Sequence, residues 1–149
     1  MKVAVIMGSA NDGAKMAPAV ETLESFGVEV SEHVLSAHRT PHLVADLARS
    51  ARAEGYAVLI CGAGMAAHLA GAVAAQTTLP VIGVPLSGGA IGGIDALYAT
   101  VQMPRGVPVA TVAIDGAANA AILAAEILAV SDTALADRLA DYRRQWLPA

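Results

Sequence analysis

From Gly55 to Ile94 the chain carries no Asp, Glu, Lys or Arg. A stretch that long and that uncharged fits two environments only, a bilayer or the covered interior of a sheet. His68, Gln76, Thr77, Thr78, Pro80 and repeated glycines interrupt it, so no continuous apolar run of about 20 residues is left to span hydrocarbon. The interruptions separate two aliphatic runs, Tyr56–Cys61 and Pro80–Val84, by the small-residue segment Ala66–Gln76. That is the pattern of two strands buried on both faces with a helix between them.

The rest of the chain repeats the pattern. Val3–Met7, after Lys2 and before Gly8-Ser9, is too short for the roughly 7–15-residue apolar core of a signal peptide, and Lys2–Met7 reads as the first strand. A helix follows with Met16, Ala19, Val20, Leu23 and Phe26 on one face, closed by Gly27. Val28–Leu35 alternates as a strand. Thr40-Pro41 supplies an N-cap and a proline at the first helical position for a helix that carries Leu43, Val44, Leu47, Ala48 and Ala51 and stops near Gly55. Gly62–Gly64 reads as a turn, Leu86–Gly93 as an uncharged, glycine-rich loop, and Ile94–Gln102 as a helix. After the connection Met103–Pro108 come a fifth strand, Val109–Ile114, and a strongly apolar helix, Ala117–Val130. A last helix over about Thr133–Trp146 aligns Leu135, Leu139, Tyr142 and Trp146, a stripe expected to pack on a neighbouring subunit or on the core. The alternation predicts one domain over residues 1–149, an α/β fold: a three-layer α/β/α flavodoxin-like sandwich with a five-stranded parallel sheet and an extra C-terminal helix.

Composition narrows the function. Of 149 residues 56% are hydrophobic but only 15% are charged and 3% aromatic, so a small domain has few charges with which to cover its surface. Part of that surface is expected to be buried in a homo-oligomer. Net charge is −4 and no run of Lys or Arg occurs, which argues against nucleic acid as a partner. A small anion, needing only one or two cations and oriented N–H groups, stays open. Cys61, the one cysteine, lies in an apolar run and reads as a buried free thiol. The histidines and Cys61 lack metal-ligand spacing, so no metal is expected. No Gly-x-Ser-x-Gly elbow or Walker motif is present. The expectation is a soluble, cytoplasmic, small-molecule-binding protein without a membrane span.

In parallel sheets of this kind ligands bind at the carboxyl ends of the strands, beside the topological switch point. The loop after strand one offers Ser9, Asn11 and Asp12: an anion cradle at a helix start, or Asn11 or Asp12 as a plain N-cap. The loop after strand two crowds Ser36, His38 and Arg39 together. Guanidinium suits phosphate or carboxylate, and imidazole suits proton transfer near neutrality. His33 and His42 lack such company. The loop after strand three holds Gly62-Ala63-Gly64-Met65-Ala66-Ala67, which fits a dinucleotide fingerprint with alanine in the third glycine position. The acidic residue that should follow about 20 residues later is missing, since no Asp or Glu lies between Glu54 and Asp95. Gly64 and its neighbours are therefore read as allowing close approach of a ligand, which His68 touches unless it is a core histidine.

Taken in order, Met7-Gly8-Ser9-Ala10-Asn11-Asp12, Ser36-Ala37-His38-Arg39-Thr40-Pro41 and Gly62-Ala63-Gly64-Met65-Ala66-Ala67-His68-Leu69 resemble the N5-carboxyaminoimidazole ribonucleotide mutase family, the catalytic-subunit type of phosphoribosylaminoimidazole carboxylase. Leu79–Pro85, Val101–Val109 and Asn119–Ala125 extend the match. The resemblance implies a purine-synthesis isomerase that interconverts N5-carboxyaminoimidazole ribonucleotide and 4-carboxy-5-aminoimidazole ribonucleotide through trapped CO2. It implies His38 as general acid–base and Ser9, Asp12 and Arg39 on the ribose phosphate, with Asn11, Ser36, Gly64 and His68 completing the site. It also implies no cofactor, a homo-octamer, and Leu86–Gly93 as a cover. Arg39 stands where a related branch, which uses free CO2, resembles a pattern with lysine. The chain departs from the family at Asn11, Gly13, Met65 and Ala70, where serine, tryptophan, glycine and proline are usual. Alternatives are a CO2-dependent carboxylase, a paralogue acting on another ribonucleotide, a nucleotide-binding regulator without catalysis, and an NAD-dependent oxidoreductase.

Overall fold

Strands β1 (Lys2–Met7), β2 (Glu29–Val34), β3 (Tyr56–Gly64), β4 (Val81–Leu86) and β5 (Ala110–Thr111) form one sheet in the order β2-β1-β3-β4-β5, every neighbour parallel. This computed structural model describes residues 1–147. The strands are joined by helices α1 (Gly13–Ser25), α2 (Pro41–Ser50), α3 (Leu69–Ala74) and α4 (Ile94–Val101), and α5 (Ala117–Ala129) and α6 (Thr133–Arg144) follow β5. The α/β architecture predicted from the sequence is the one observed, and its strand order is the flavodoxin-like one.

The period-2 geometry of a strand explains the two cores. Val3, Val5 and Met7 of β1 face one side, where they meet Met16 and Leu23 of α1 and Ala120, Ala124 and Leu128 of α5. Ala4 and Ile6 face the other, against Val44 and Ala48 of α2 and Leu69 and Val73 of α3. Both faces of β1 are thus covered, which is why its sequence is an unbroken apolar run. Cys61 lies in the second core as a free thiol, and burial pushes its ionisation up. Leu135 and Leu139 of α6 bury in the first core of their own chain, and Tyr142 meets Phe26 edge-on at 5.3 Å, while Trp146 remains exposed. Among the described residues no helix is long and apolar enough to cross a membrane.

Besides smaller shifts, such as β4 running on to Leu86 past its expected end at Val84, three boundaries differ most from the sequence expectation. β3 continues through Gly62–Gly64 instead of turning, because these residues pair with Val84–Leu86. At Gly62 the close approach is to the protein itself: a Cβ there would stand 2.3 Å from Met16 Sδ. Helix α3 begins at Leu69, not Ala66, because the Ala67 and His68 N–H groups bond back two residues, to the Met65 and Ala66 carbonyls at 2.8 Å, in tight turns that are not helical. β5 is cut to Ala110–Thr111. Pro85 of β4 has no N–H to give β5, so beyond Gly83 only its carbonyl is used, by the Asp115 N–H at 2.9 Å.

Candidate active site

The strand order reverses around β1 and β3, so the loops that follow them part and leave a cleft of about 510 Å³ at the carboxyl edge of the sheet. Ser9, Asn11 and Asp12, Ser36, His38 and Arg39, and Gly64 and His68 all line it. Three loops distant in sequence therefore bring their polar residues to one place.

Each loop is shaped by its own short-range bonds. Ser9 is extended (φ −149, ψ 149), and its Oγ accepts the Asn11 N–H at 3.3 Å, opening a short 3-10 turn, Ala10–Asp12, ahead of α1. Ser9 is the capping residue here. Asp12 precedes α1 but makes no side-chain cap bond, so its carboxylate is left for the cleft. Burial pushes the Asp12 carboxyl above its ordinary range, although a Ser9 backbone bond and the charges of Lys15 and Arg39 pull the other way. After β2, the Thr40 hydroxyl accepts from the Ser36 N–H and donates to the Ser36 carbonyl, both at 3.1 Å. Thr40 thus staples the loop instead of capping α2 with its side chain. The Ser36 Oγ accepts the Arg39 N–H at 3.2 Å, and the Arg39 guanidinium donates to the Gly8 carbonyl at 3.0 Å. A guanidinium has five N–H donors, so most of them remain free for an anion.

His38 and His68 meet across the cleft. Their Nε2 and Nδ1 atoms are 2.7 Å apart and the rings stand at 83°. Such a bond needs a proton on one nitrogen and a lone pair on the other, so one imidazole donates to the other at the surface of the cleft. His68 is exposed beside His38 and is not a core histidine. His33 is bound instead to Ser31 Oγ (3.1 Å) and Tyr56 Oη (3.2 Å), and burial, then the Lys2 charge, pushes it down. Met65, 61% exposed, lines the cleft and lies against the glycine loop: its Cγ would stand 3.2 Å from a Cβ on Gly89.

The sequence points to Leu86–Gly93 as a cover but does not single out Ser87. Ser87, Gly88 and Gly89, at the end of β4, line the same cleft. Lys15 donates to the Ser87 carbonyl and, at 2.7 Å, to the Ser87 Oγ. Asp115 accepts the Ser87 N–H at 2.8 Å and the Ser87 hydroxyl. Partial burial works against ionisation of Asp115, but these two bonds and the Lys15 charge hold its carboxyl below the ordinary range. The rule that gathers loops at the carboxyl edge applies equally to the loop after β4, and would have pointed to Ser87. Among the described residues no group of three or more His, Cys, Asp or Glu is placed to hold a metal.

The AIR carboxylase family model matches residues 2–147. The chain is 52% identical over 145 residues to the N5-carboxyaminoimidazole ribonucleotide mutase of Escherichia coli, an alignment covering 96% of this chain and 86% of that one. It is 54% identical over 138 residues to the protein of the same name from Saccharolobus solfataricus, covering 93% and 87%. Among solved structures, the crystal structure of Treponema denticola PurE matches with a TM-score of 0.88 at 29% identity, covering 97% of this chain and 90% of that one.

Proposed function

The chain belongs to the AIR carboxylase family, and we propose that it interconverts N5-carboxyaminoimidazole ribonucleotide and 4-carboxy-5-aminoimidazole ribonucleotide in purine synthesis, with His38 carrying the proton. The observation that carries this reading is one cleft holding a hydrogen-bonded histidine pair beside Arg39, Ser9 and Asp12. The free guanidinium donors of Arg39 suit a phosphate. Asp12 accepts hydrogen bonds from ribose hydroxyls, Asn11 and Ser36 add polar contacts, and Gly64 lines the cleft beside them.

The reaction is proton-neutral and redox-neutral. The N5–carboxylate bond breaks to give CO2 as N5 takes a proton from the His38 imidazolium. C4 then attacks the CO2 carbon, and the neutral imidazole removes the C4 proton, restoring its starting state. One histidine suffices and no cofactor is called for. CO2 held beside C4 reacts at high effective concentration, provided the cleft keeps it from escaping. Arg39, where the related branch resembles a lysine pattern, supports the mutase over a carboxylase using free CO2.

The family resemblance further supports a cytoplasmic homo-octamer. On α4, Ile94, Tyr98 and Val101 are 44%, 62% and 47% exposed at spacings that put them on one face. Together with Trp146 after α6, they give a neighbouring subunit apolar surface to cover. Light scattering should return a mass eight times the 15.0 kDa of the chain.

The test is conversion of N5-carboxyaminoimidazole ribonucleotide by purified protein without ATP, followed by the ultraviolet absorbance of the carboxylated imidazole. Turnover is expected. Tight binding with no turnover would mark a non-catalytic regulator instead. Asp12→Asn should separate binding from stability. The folded state disfavours ionised Asp12, so the wild type carries a stability cost above the carboxyl's titration range, and this cost fades as pH falls. At pH 7 Asp12→Asn is expected to raise Tm by about 1–2 °C, a gain that shrinks on acidification. It should lower kcat/KM by roughly 10- to 100-fold, the worth of a hydrogen bond to a charged group.

A further inference from the structure

We propose that Lys15 and Asp115 are positioning residues that clamp Ser87 and so hold the glycine loop 87–93 as a wall of the cleft. The inference rests on reading that cleft as the substrate site.

Every polar group of Ser87 is engaged. Its carbonyl accepts from Lys15, its N–H is bound by Asp115 at 2.8 Å, and its hydroxyl accepts from Lys15 at 2.7 Å while donating to Asp115. Lys15 and Asp115 also lie 3.9 Å apart as an ion pair. The three residues come from separate elements: α1, the end of β4, and the turn between β5 and α5. Asp115 is itself pinned, its N–H bonded to the Pro85 carbonyl and its backbone left-handed at φ 56, a conformation aspartate tolerates better than most residues.

The loop needs such a clamp. Gly88, Gly89, Gly92 and Gly93 all have positive φ, and Ile91 is 57% exposed, so little side-chain packing holds the segment. Glycine at these positions also has the most backbone freedom to lose. Rigidity must come from the base of the loop, where the ends meet: a Cβ on Gly93 would stand 3.0 Å from Ser87 Cα and 3.2 Å from the Leu86 carbonyl. Ser87 is one side of that base. If it is released, the loop's ordering is drawn from substrate binding energy, which raises KM more than it lowers kcat.

The experiment compares the full chain with Lys15→Met, Asp115→Asn, the double variant and Lys15→Arg. Asparagine keeps the left-handed turn but loses the charge and the acceptor for the Ser87 hydroxyl. Amide relaxation of isotope-labelled glycines is read without substrate. Order parameters at Gly88 and Gly89 should fall from about 0.85 to below about 0.6 in both single variants. In turnover, KM should rise roughly tenfold with kcat changed less than about threefold. The double variant should be no worse than the worse single one, as for residues acting as a unit. Lys15→Arg should restore most of the loss. Order parameters unchanged in Lys15→Met would overturn the clamp, whatever the chain's activity. A loosened loop in a chain that turns over no ribonucleotide would uphold the clamp and defeat the functional reading.

Discussion

Replacing His38 with asparagine is expected to lower kcat about a thousandfold, within the range general acid–base groups contribute, and to leave Tm within about 1 °C. The side chain is exposed, and among the described residues its one hydrogen-bonded partner is His68. It fills no core position, and an amide can still bond to the His68 Nδ1. What asparagine cannot do is deliver a proton to N5 and collect one from C4. In the proposed mechanism both half-reactions use the same group in opposite protonation states, so losing it would stop the cycle at either step. Steady-state kinetics in both directions, with thermal unfolding as a control, would decide. A fall of less than about tenfold would place the proton carrier elsewhere.

Gly83→Ala is expected to cause the largest loss of stability. Gly83 sits in β4, and a Cβ there would stand 2.3 Å from Thr100 Cγ2, 2.9 Å from Val109 Cγ1 and 3.3 Å from Ala70 Cβ. None of these can yield cheaply. Thr100 is buried, β-branched, and held by a 2.7 Å bond from its hydroxyl to the Ala96 carbonyl. Helix α4 must move outward as a body, and overpacking of this kind costs up to about 3 kcal/mol. In a domain of this length that corresponds to a fall in Tm of roughly 6–12 °C. Because α4 follows the glycine loop directly, activity should fall as well, even at temperatures where the variant is folded. A Tm change below about 2 °C in thermal unfolding would mean that α4 does not pack on β4 this closely.

Much of the fold was legible because burial on both faces leaves an unmistakable trace: Val3–Met7 and Val58–Cys61 are runs no exposed strand could carry. The switch-point rule then carried Ser9, His38 and His68 from separate loops to one edge. Local signals misled where a remote partner decides the conformation. Gly62 looked like a turn residue, but its missing Cβ makes room for Met16, which belongs to a different element. Thr40 had the chemistry of a helix cap, yet its hydroxyl turns back to Ser36. The length of β5 depended on Pro85 of the neighbouring strand, not on its own residues. The Lys15–Ser87–Asp115 clamp was invisible because its members stand 72 and 28 positions apart, and no periodicity links them.

The most direct test follows one carbon atom. N5-carboxyaminoimidazole ribonucleotide with its carboxylate carbon labelled would be converted in buffer rich in unlabelled bicarbonate, and the label counted in the product. If CO2 passes from N5 to C4 without leaving the cleft, as the account proposes, the product keeps its label. A product labelled only to the level of the free pool would contradict it, and would make the chain a carboxylase that draws CO2 from solution.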